Sequence, residues 1–344
     1  MPTVAVVPGD GIGPEVTREA VKVLTRLDER DGLGFELFEL PLGAEHYLAT
    51  GEILTAEAIE RLRGSDAILF GAMGDPRVPP GVLERGVIIR LRMLFRQSVN
   101  VRPINLLPGV TSPLAGLTPE KCDMVIVREN TEGMYTSEGT MTAAGTPHAV
   151  AVHTAVTTAA ATAACVRYAF ELARGRRRRL TLCHKTNILV NAGLLWSAAV
   201  ADIGVEFPDV EVDYCHVDAM TLHMIQRPER FDVIVTDNLF GDILSDLGAA
   251  IQGGLGTAAS ANLNLDASAP SFFEAIHGSA PDIAGRGIAN PAAAILSMAM
   301  MLEHLGFGQS AQDCRQAVSA TLSTFAGCEM DTTAFGDAVV SALG

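Results

Sequence analysis

Asp242 and Asp246, four residues apart in the stretch GDILSDLGAAI, are the pair whose type and spacing speak most directly of chemistry. On a helix that spacing sets both carboxylates on one face. Like charges so placed repel by roughly 0.2–0.5 kcal/mol on an exposed helix, and the dipole of a helix N-terminus offsets part of that. Capping and solvation would explain the pair. So would Mg2+ or Mn2+, hard cations that take oxygen ligands and keep positions open for a substrate. Asp218, just after the strand-like residues 212–217, is a third carboxylate for such a site. Arg92, Arg102 and Arg128 fall at the ends of expected elements in a chain with 25 Lys and Arg against 40 Asp and Glu. Guanidinium forks pair carboxylates bidentately, so the three form a candidate clamp, although any one alone is more commonly a surface ion pair. Lys185 follows the apolar run LTLCH, where a desolvated or metal-adjacent amine has a lowered pKa and can act as a base. Tyr135, one of four tyrosines, stands seven residues after Arg128. Taken singly, Tyr135 and Lys185 read as structural residues, as does His184.

Two loops look suited to backbone contact. Residues 277–290, HGSAPDIAGRGIAN, are rich in small residues and main-chain donors; the plainer reading is an ordinary connection capped by Asp282. Residues 9–15, GDGIGPE, follow an opening strand as a dinucleotide fold would require. Their spacing is G-x-G-x-G with Pro14 next, not G-x-G-x-x-G. Glycine there still lets a ligand approach the backbone closely. The run from Arg176 to Arg179 reads as a solvated basic helix end.

The elements that must position these residues alternate from the start. Residues 3–8 read as a strand, and 14–30 as a helix with Val16, Ala20, Val23, Leu24 and Leu27 at helical spacing. Strand 35–40, helix 55–62 capped by Thr55, and strand 67–70 follow. Helix 83–95 carries Arg92, strand 98–102 carries Arg102 and strand 124–128 ends on Arg128. The polar residues 131–150 read as an exposed excursion or arm. Then come helix 157–174, strand 180–183 leading to Lys185, helix 189–201, strands 210–216 and 233–236, and helix 241–251 opening with acids. Residues 272–277 and helix 291–305 complete the pattern, which argues α/β with parallel strands.

Composition narrows the function class. At 344 residues the chain has room for about two domains. With 48% apolar and 19% charged residues it can bury a large core. A net charge of −15 argues against a general nucleic-acid or anionic-membrane binder. No run of ~18 apolar residues reads as a membrane span, and the N-terminal residues lack the basic segment of a secretory signal. Cys122, Cys165, Cys183, Cys215, Cys314 and Cys328 are widely spaced with no C-x-x-C, and read as scattered core thiols in a reducing, cytoplasmic compartment.

Taken together, GDGIGPE, Arg92 and Arg102 ten apart, VRENTEGMY, HKTN, FDVIVTDNLFGDILSD and HGSAPDIAGRGIANP resemble the β-decarboxylating dehydrogenases, the isocitrate/isopropylmalate dehydrogenase family. The resemblance spans nearly the whole chain. DPRVPPGVLERG, HKTNILVNAGLLW, QPERFDVIVTDNLFGDIL and SANLN look most like the isopropylmalate branch, particularly its actinobacterial members. Members acting on tartrate and D-malate share VRENTEG and SANLN.

The resemblance implies two α/β domains around a continuous mixed sheet of ten or so strands, not a Rossmann fold. Residues 1–99 plus 255–344 would form the cofactor-side domain. Residues 100–254 would form the metal-side and dimerisation domain, with residues 131–150 as an intersubunit arm. Arg92, Arg102 and Arg128 would bind the malate carboxylates. Asp242 and Asp246, with Asp218 from the partner subunit, would hold Mg2+ or Mn2+. Lys185, also from the partner, would take the hydroxyl proton, and Tyr135 would protonate the enol carbon. NAD would lie along His277, Gly278, Ser279, Ala280, Asp282, Ile283 and Asn290. Asp282-Ile283 resembles the NAD form, since a carboxylate accepts ribose hydroxyls and repels a 2′-phosphate; NADP forms look like Lys-Tyr there.

Val87, Ile88 and Ile89 would face an alkyl group at C3, where burying an isopropyl group contributes ~2 kcal/mol. The plainer reading leaves them in the core. Arg90 could instead pair an anionic C3 substituent such as a carboxylate or phosphonate. The activity implied is oxidative decarboxylation of 3-isopropylmalate in leucine biosynthesis by a homodimer. D-malate, tartrate or another 3-substituted malate is the alternative, and a catalytically silent regulatory subunit is a reading from another class. Ala275 and Ile276, the helix sequence TTAAATAACVR and residues 141–146 depart from the family pattern.

Overall fold

The structure, a computed structural model, describes residues 1–327 and 331–344; Cys328 lies outside the described residues. The chain runs β1 (Thr3–Gly9), α1 (Gly13–Asp31), β2 (Glu36–Glu39), α2 (Ala44–Thr50), α3 (Ala56–Arg63) and β3 (Ala67–Ala72). A π-helical turn (Glu84–Ile89) leads into α4 (Arg90–Leu94), and β4 (Val99–Asn105) and β5 (Asp123–Glu129) follow. The excursion forms a hairpin of β6 (Glu138–Thr142) and β7 (Val150–Thr154). Next come α5 (Ala159–Arg174), β8 (Arg179–His184), α6 (Val190–Gly204), β9 (Glu211–His216), α7 (Val217–Gln226), β10 (Val233–Thr236) and α8 (Asn238–Ile251). Last are β11 (Ala259–Leu263), β12 (Ser271–Ala275), α9 (Ala292–His304), α10 (Gly308–Thr324) and α11 (Thr332–Ala342).

Ten strands form one mixed sheet in the order β2-β1-β3-β12-β11-β4-β5-β10-β8-β9. Its flanks are parallel, as the alternating pattern predicts. Its centre is not: β12–β11, β11–β4 and β4–β5 pair antiparallel. Residues 264–270 joining β11 to β12 are too few for the dozen-residue crossover that a parallel pair needs.

The two faces of the sheet are packed differently, and this creates the site. On one face Val99, Val101, Val125, Val127, Ala261 and Phe273 join a single core with residues of α1, α5, α6, α9, α10 and α11. On the other face there are two separate cores. One holds Ile68, Phe70, Phe272 and Leu91; the other holds Ile104, Ile126, Ile234 and Leu244. Between them the alternation of β4, β5, β11 and β12 brings up polar side chains: Asn100, Arg102, Arg128, Ser260, Asn262 and Glu274, all buried.

The GDGIGPE turn serves packing. A Cβ on Gly9 would lie 1.9 Å from the Ala72 carbonyl oxygen, and one on Gly11 would lie 2.0 Å from that of Ser279. Both residues have positive φ, 72° and 58°. The glycines therefore let the β1–α1 turn press against the end of β3 and the loop after β12. The Ile12 N–H donates to the Ser279 carbonyl at 2.8 Å, and the Gly285 N–H donates to Glu15 at 3.0 Å.

Cys122, Cys165, Cys183, Cys215 and Cys314 are buried free thiols, and Cys183 and Cys215 are register partners on β8 and β9. Among the described residues no helix is long and apolar enough to cross a membrane.

Candidate active site

Three arginines converge on the polar strip. Arg92, in α4, is 8% exposed, Arg102 on β4 is 6% and Arg128 at the end of β5 is 1%. Arg92 Nη2 donates to Glu274 Oε1 at 3.1 Å, while its Nε is buried with no partner. Arg102 Nε donates to Asn100 Oδ1 at 2.6 Å, and its Nη1 lies 3.5 Å from Asp242 and 3.9 Å from Asp246. Arg128 donates from Nε and Nη2 to Asn238 Oδ1, at 3.1 and 2.7 Å, and from Nη1 to Asp242. Burial, with Arg128 adding to it, pushes Arg102 down to about 10 and lowers Arg92 as well. Guanidinium stays protonated regardless. What these shifts record is crowded, poorly solvated positive charge, which an anionic ligand would relieve.

The carboxylates come from α8. That helix starts at Asn238, three residues before the start expected from the sequence. Asp237 is its N-cap and accepts from the Phe240 N–H at 2.8 Å. Asp242 and Asp246 share the face turned to Arg102, as their spacing predicts. Burial raises Asp242, but Arg128, the Tyr135 hydroxyl and Arg102 outweigh it and hold the carboxyl below its usual range. The Asp246 carboxylate makes no hydrogen bond among the described residues, and burial followed by Asp242 pushes it up. Tyr135, in a short 3-10 turn (Gly133–Thr136), donates its hydroxyl to Asp242, with Arg128 4.8 Å from its ring centroid. Burial, then Asp242, raise the phenol to about 12, so it holds its proton throughout the neutral range.

Lys185 and Asp218 stand together, with Nζ 2.6 Å from Oδ1, and the lysine holds the Asp218 carboxyl below its usual range. They do not join the α8 pair: among the described residues no three His, Cys, Asp or Glu are placed to hold one metal ion. The neighbouring segments expose Ile188, Leu189 and Leu194 before and on α6, and Leu222 and Ile225 on α7.

The loop after β12 carries the predicted cofactor residues. Ser279 is buried, and its carbonyl accepts from Ile12. Ala280 sits at φ 38°. Ile283 packs on the core, and Asn290 caps the start of α9 by accepting from the Ala292 N–H at 3.0 Å. Asp282 and Gly278 are exposed, and Asp282 makes no ion pair or hydrogen bond among the described residues. His277 Nδ1 lies 3.1 Å from the Gly278 carbonyl, while its Nε2 is buried with no partner. An orphaned ring nitrogen at the start of the loop and an open carboxylate five residues on fit a ligand with hydroxyls and ring donors or acceptors.

The predicted alkyl wall needs correction. Val87 is fully buried among Leu83, Leu91 and Phe95, because the helical phase turns it into the core. Ile88 and Ile89 are half-buried, and Ile88 packs against the same core as Val87. Arg90 places Nη1 3.4 Å from the Leu54 carbonyl. Sequence reasoning missed Glu84, whose Oε1 would lie 3.6 Å from a Cβ on Gly74, with Ser279 Oγ at 3.7 Å. It thus stands between the Arg92 helix and the loop after β12. The π turn hid it, since the 3.6-residue period fails there. Asn100, Asn262 and Glu274 were also missed; VNVR and SANL alternate polar with apolar residues, but that pattern does not say which distant strand a polar residue meets.

A family model described as isocitrate/isopropylmalate dehydrogenase matches residues 3–339. A 3-isopropylmalate dehydrogenase of Thermobifida fusca is 53% identical over 336 residues, 97% of this chain and 95% of that protein. One from Rhodococcus erythropolis is 51% identical over 340 residues, 98% and 99% of the two chains. Among solved structures, an isocitrate dehydrogenase from Methylococcus capsulatus superposes with a TM-score of 0.90 at 36% identity, covering 100% of this chain and 99% of that one.

Proposed function

The chain belongs to the isocitrate/isopropylmalate dehydrogenase family, and on that premise we propose that it oxidises and decarboxylates (2R,3S)-3-isopropylmalate with NAD+. The products are 4-methyl-2-oxopentanoate, CO2 and NADH, and the step belongs to leucine biosynthesis. The observation that carries the reading is the cluster of three buried arginines over the Asp242–Asp246 pair, a receptor for a dicarboxylate beside two hard oxygen donors.

In this account Arg92, Arg102 and Arg128 hold the two malate carboxylates and exclude water from C2. Ile88 and Ile89 receive the isopropyl group. Lys185 takes the 2-hydroxyl proton, and Tyr135, protonated at neutral pH, delivers a proton to carbon after CO2 leaves. A divalent cation bound by Asp242, Asp246 and a second copy's Asp218 would polarise the hydroxyl and stabilise the charge left by decarboxylation, and NAD+ would accept the C2 hydride. The two-domain division, at residues 99/100 and 254/255, belongs to the same proposal.

The partner is a second copy of this chain. The Lys185–Asp218 pair stands apart from the α8 carboxylates and beside an exposed apolar surface. The β6–β7 hairpin exposes Met141, Val150 and Val152, and an isolated two-stranded hairpin is marginal in water. A homodimer would cover both and supply the missing groups.

The test is product balance. CO2 and NADH should form in equal amounts from 3-isopropylmalate and NAD+, stop with EDTA and resume with excess Mn2+. Undiminished turnover after exhaustive chelation would sink the metal assignment. No turnover with 3-isopropylmalate would sink the substrate.

A further inference from the structure

Arg92 and Arg102 sit on different elements, yet one buried chain of hydrogen bonds joins them. Arg102 Nε donates to Asn100 Oδ1 at 2.6 Å. Asn100 Nδ2 in turn donates to Asn262 Oδ1 at 3.0 Å, to Ser260 Oγ at 2.8 Å and to the Ala261 carbonyl at 3.2 Å. Asn262 Nδ2 donates to Glu274 Oε1 at 2.9 Å, the same oxygen that accepts from Arg92. Asn262 Oδ1 also accepts from Asn130 Nδ2 at 2.9 Å. Asn100 and Asn262 are completely buried.

We infer that Asn262 is a positioning residue for the substrate clamp, fixing Arg92 through Glu274 and Arg102 through Asn100 as one unit. This rests on the proposed malate-binding role of the arginines. The uncharged amide accepts from Asn100 at one end and donates to the Glu274 carboxylate at the other, which an ionised carboxylate cannot do. Apolar packing of the strand does not need it: its neighbours Ala261 and Leu263 serve the core on the opposite face. A free Glu274 carboxylate would accept from Arg92 in several geometries. Tied to Asn262, and with its backbone carbonyl accepting from Ser297 Oγ at 2.8 Å, it has one.

Asn262→Asp tests this with a readout that simple loss of packing does not produce. The new carboxylate keeps the acceptor for Asn100 but places an oxygen, in place of the amide donor, against Glu274. The charged groups facing the pair are Arg92, Arg128 and Arg102, with Asp242 and His277 beyond. Two carboxylates in contact repel, so Glu274 no longer holds Arg92 in one place and KM for 3-isopropylmalate should exceed the unmodified protein's by roughly 10-fold or more, with KM for NAD+ within about twofold.

An unchanged malate KM overturns the inference, as does an equal rise in both KM values. If the unmodified protein itself fails to turn over the malate, the functional reading fails instead. If Asn262→Asp does not accumulate folded, Asn262→Ser measured at neutral pH decides: a rise confined to the malate KM supports the inference, and no rise, or one shared with NAD+, overturns it.

Discussion

Asp282 is exposed on the loop after β12 with its carboxylate free of partners among the described residues, and on the proposed function it is the side chain that sets cofactor choice. A carboxylate accepts hydroxyl donors and repels a phosphate, so the protein should prefer NAD+ to NADP+. The double change Asp282→Lys with Ile283→Tyr should reverse the preference. The check is kcat/KM with each cofactor, and equal use of both by the unmodified protein would refute the assignment. Asp282 stood out only through the likeness of Asp282-Ile283 to the NAD form, since the loop by itself reads as an ordinary connection. Asn262 and Glu274 were not legible, since a lone polar residue in a strand gives no sign of which neighbour it faces. Val87 was misassigned to the alkyl wall for a related reason. Three consecutive apolar residues cannot all face one way on a helix, and the core took the first.

At the scale of elements, α8 carries the carboxylates, and its cap is under electrostatic load. Burial, the largest cause, pushes Asp237 up to about 6 from 3.8. Between those values the folded state binds more protons than the unfolded one, so this group's contribution to stability falls as pH rises to about 6 and then stays low. His184, 3.5 Å away, works in the opposite direction: burial pushes it down to about 4 from 6.5, so its contribution rises with pH over that interval. Asp237→Asn keeps an oxygen to cap the helix and removes the charge. It should therefore raise stability at about pH 8 by up to about 2 kcal/mol, with the gain gone at about pH 4. Denaturant unfolding at both pH values measures it, and a loss of similar size at both would refute it. The strands bearing Arg102 and Arg128 were readable from their apolar runs. The antiparallel centre of the sheet was not, because strand order depends on which distant segments meet. The GDGIGPE glycines were visible as a tight turn, but their partners, Ala72 and Ser279, lie far along the chain.

At the scale of the molecule, one chain holds an arginine clamp and two carboxylates at one place and the Lys185–Asp218 pair at another. If two copies share each site, Lys185→Met and Asp242→Asn should each be inactive alone. Mixed and re-assembled, half the dimers pair the two variants and each has one intact site, so about one quarter of full activity should return. Recovery near zero would mean that both residues serve a site within one chain. The proposed dimer face has no mark in the sequence beyond the excursion at residues 131–150, since an apolar residue on a helix looks the same whether its partner is the core or a second subunit. The central claim is the substrate, and it is tested most directly by kcat/KM for 3-isopropylmalate against D-malate, with NAD+ and Mn2+ present. If Ile88 and Ile89 receive the isopropyl group as proposed, 3-isopropylmalate should be preferred by roughly 30-fold, from ~2 kcal/mol of buried isopropyl surface. Equal or greater efficiency with D-malate would contradict it.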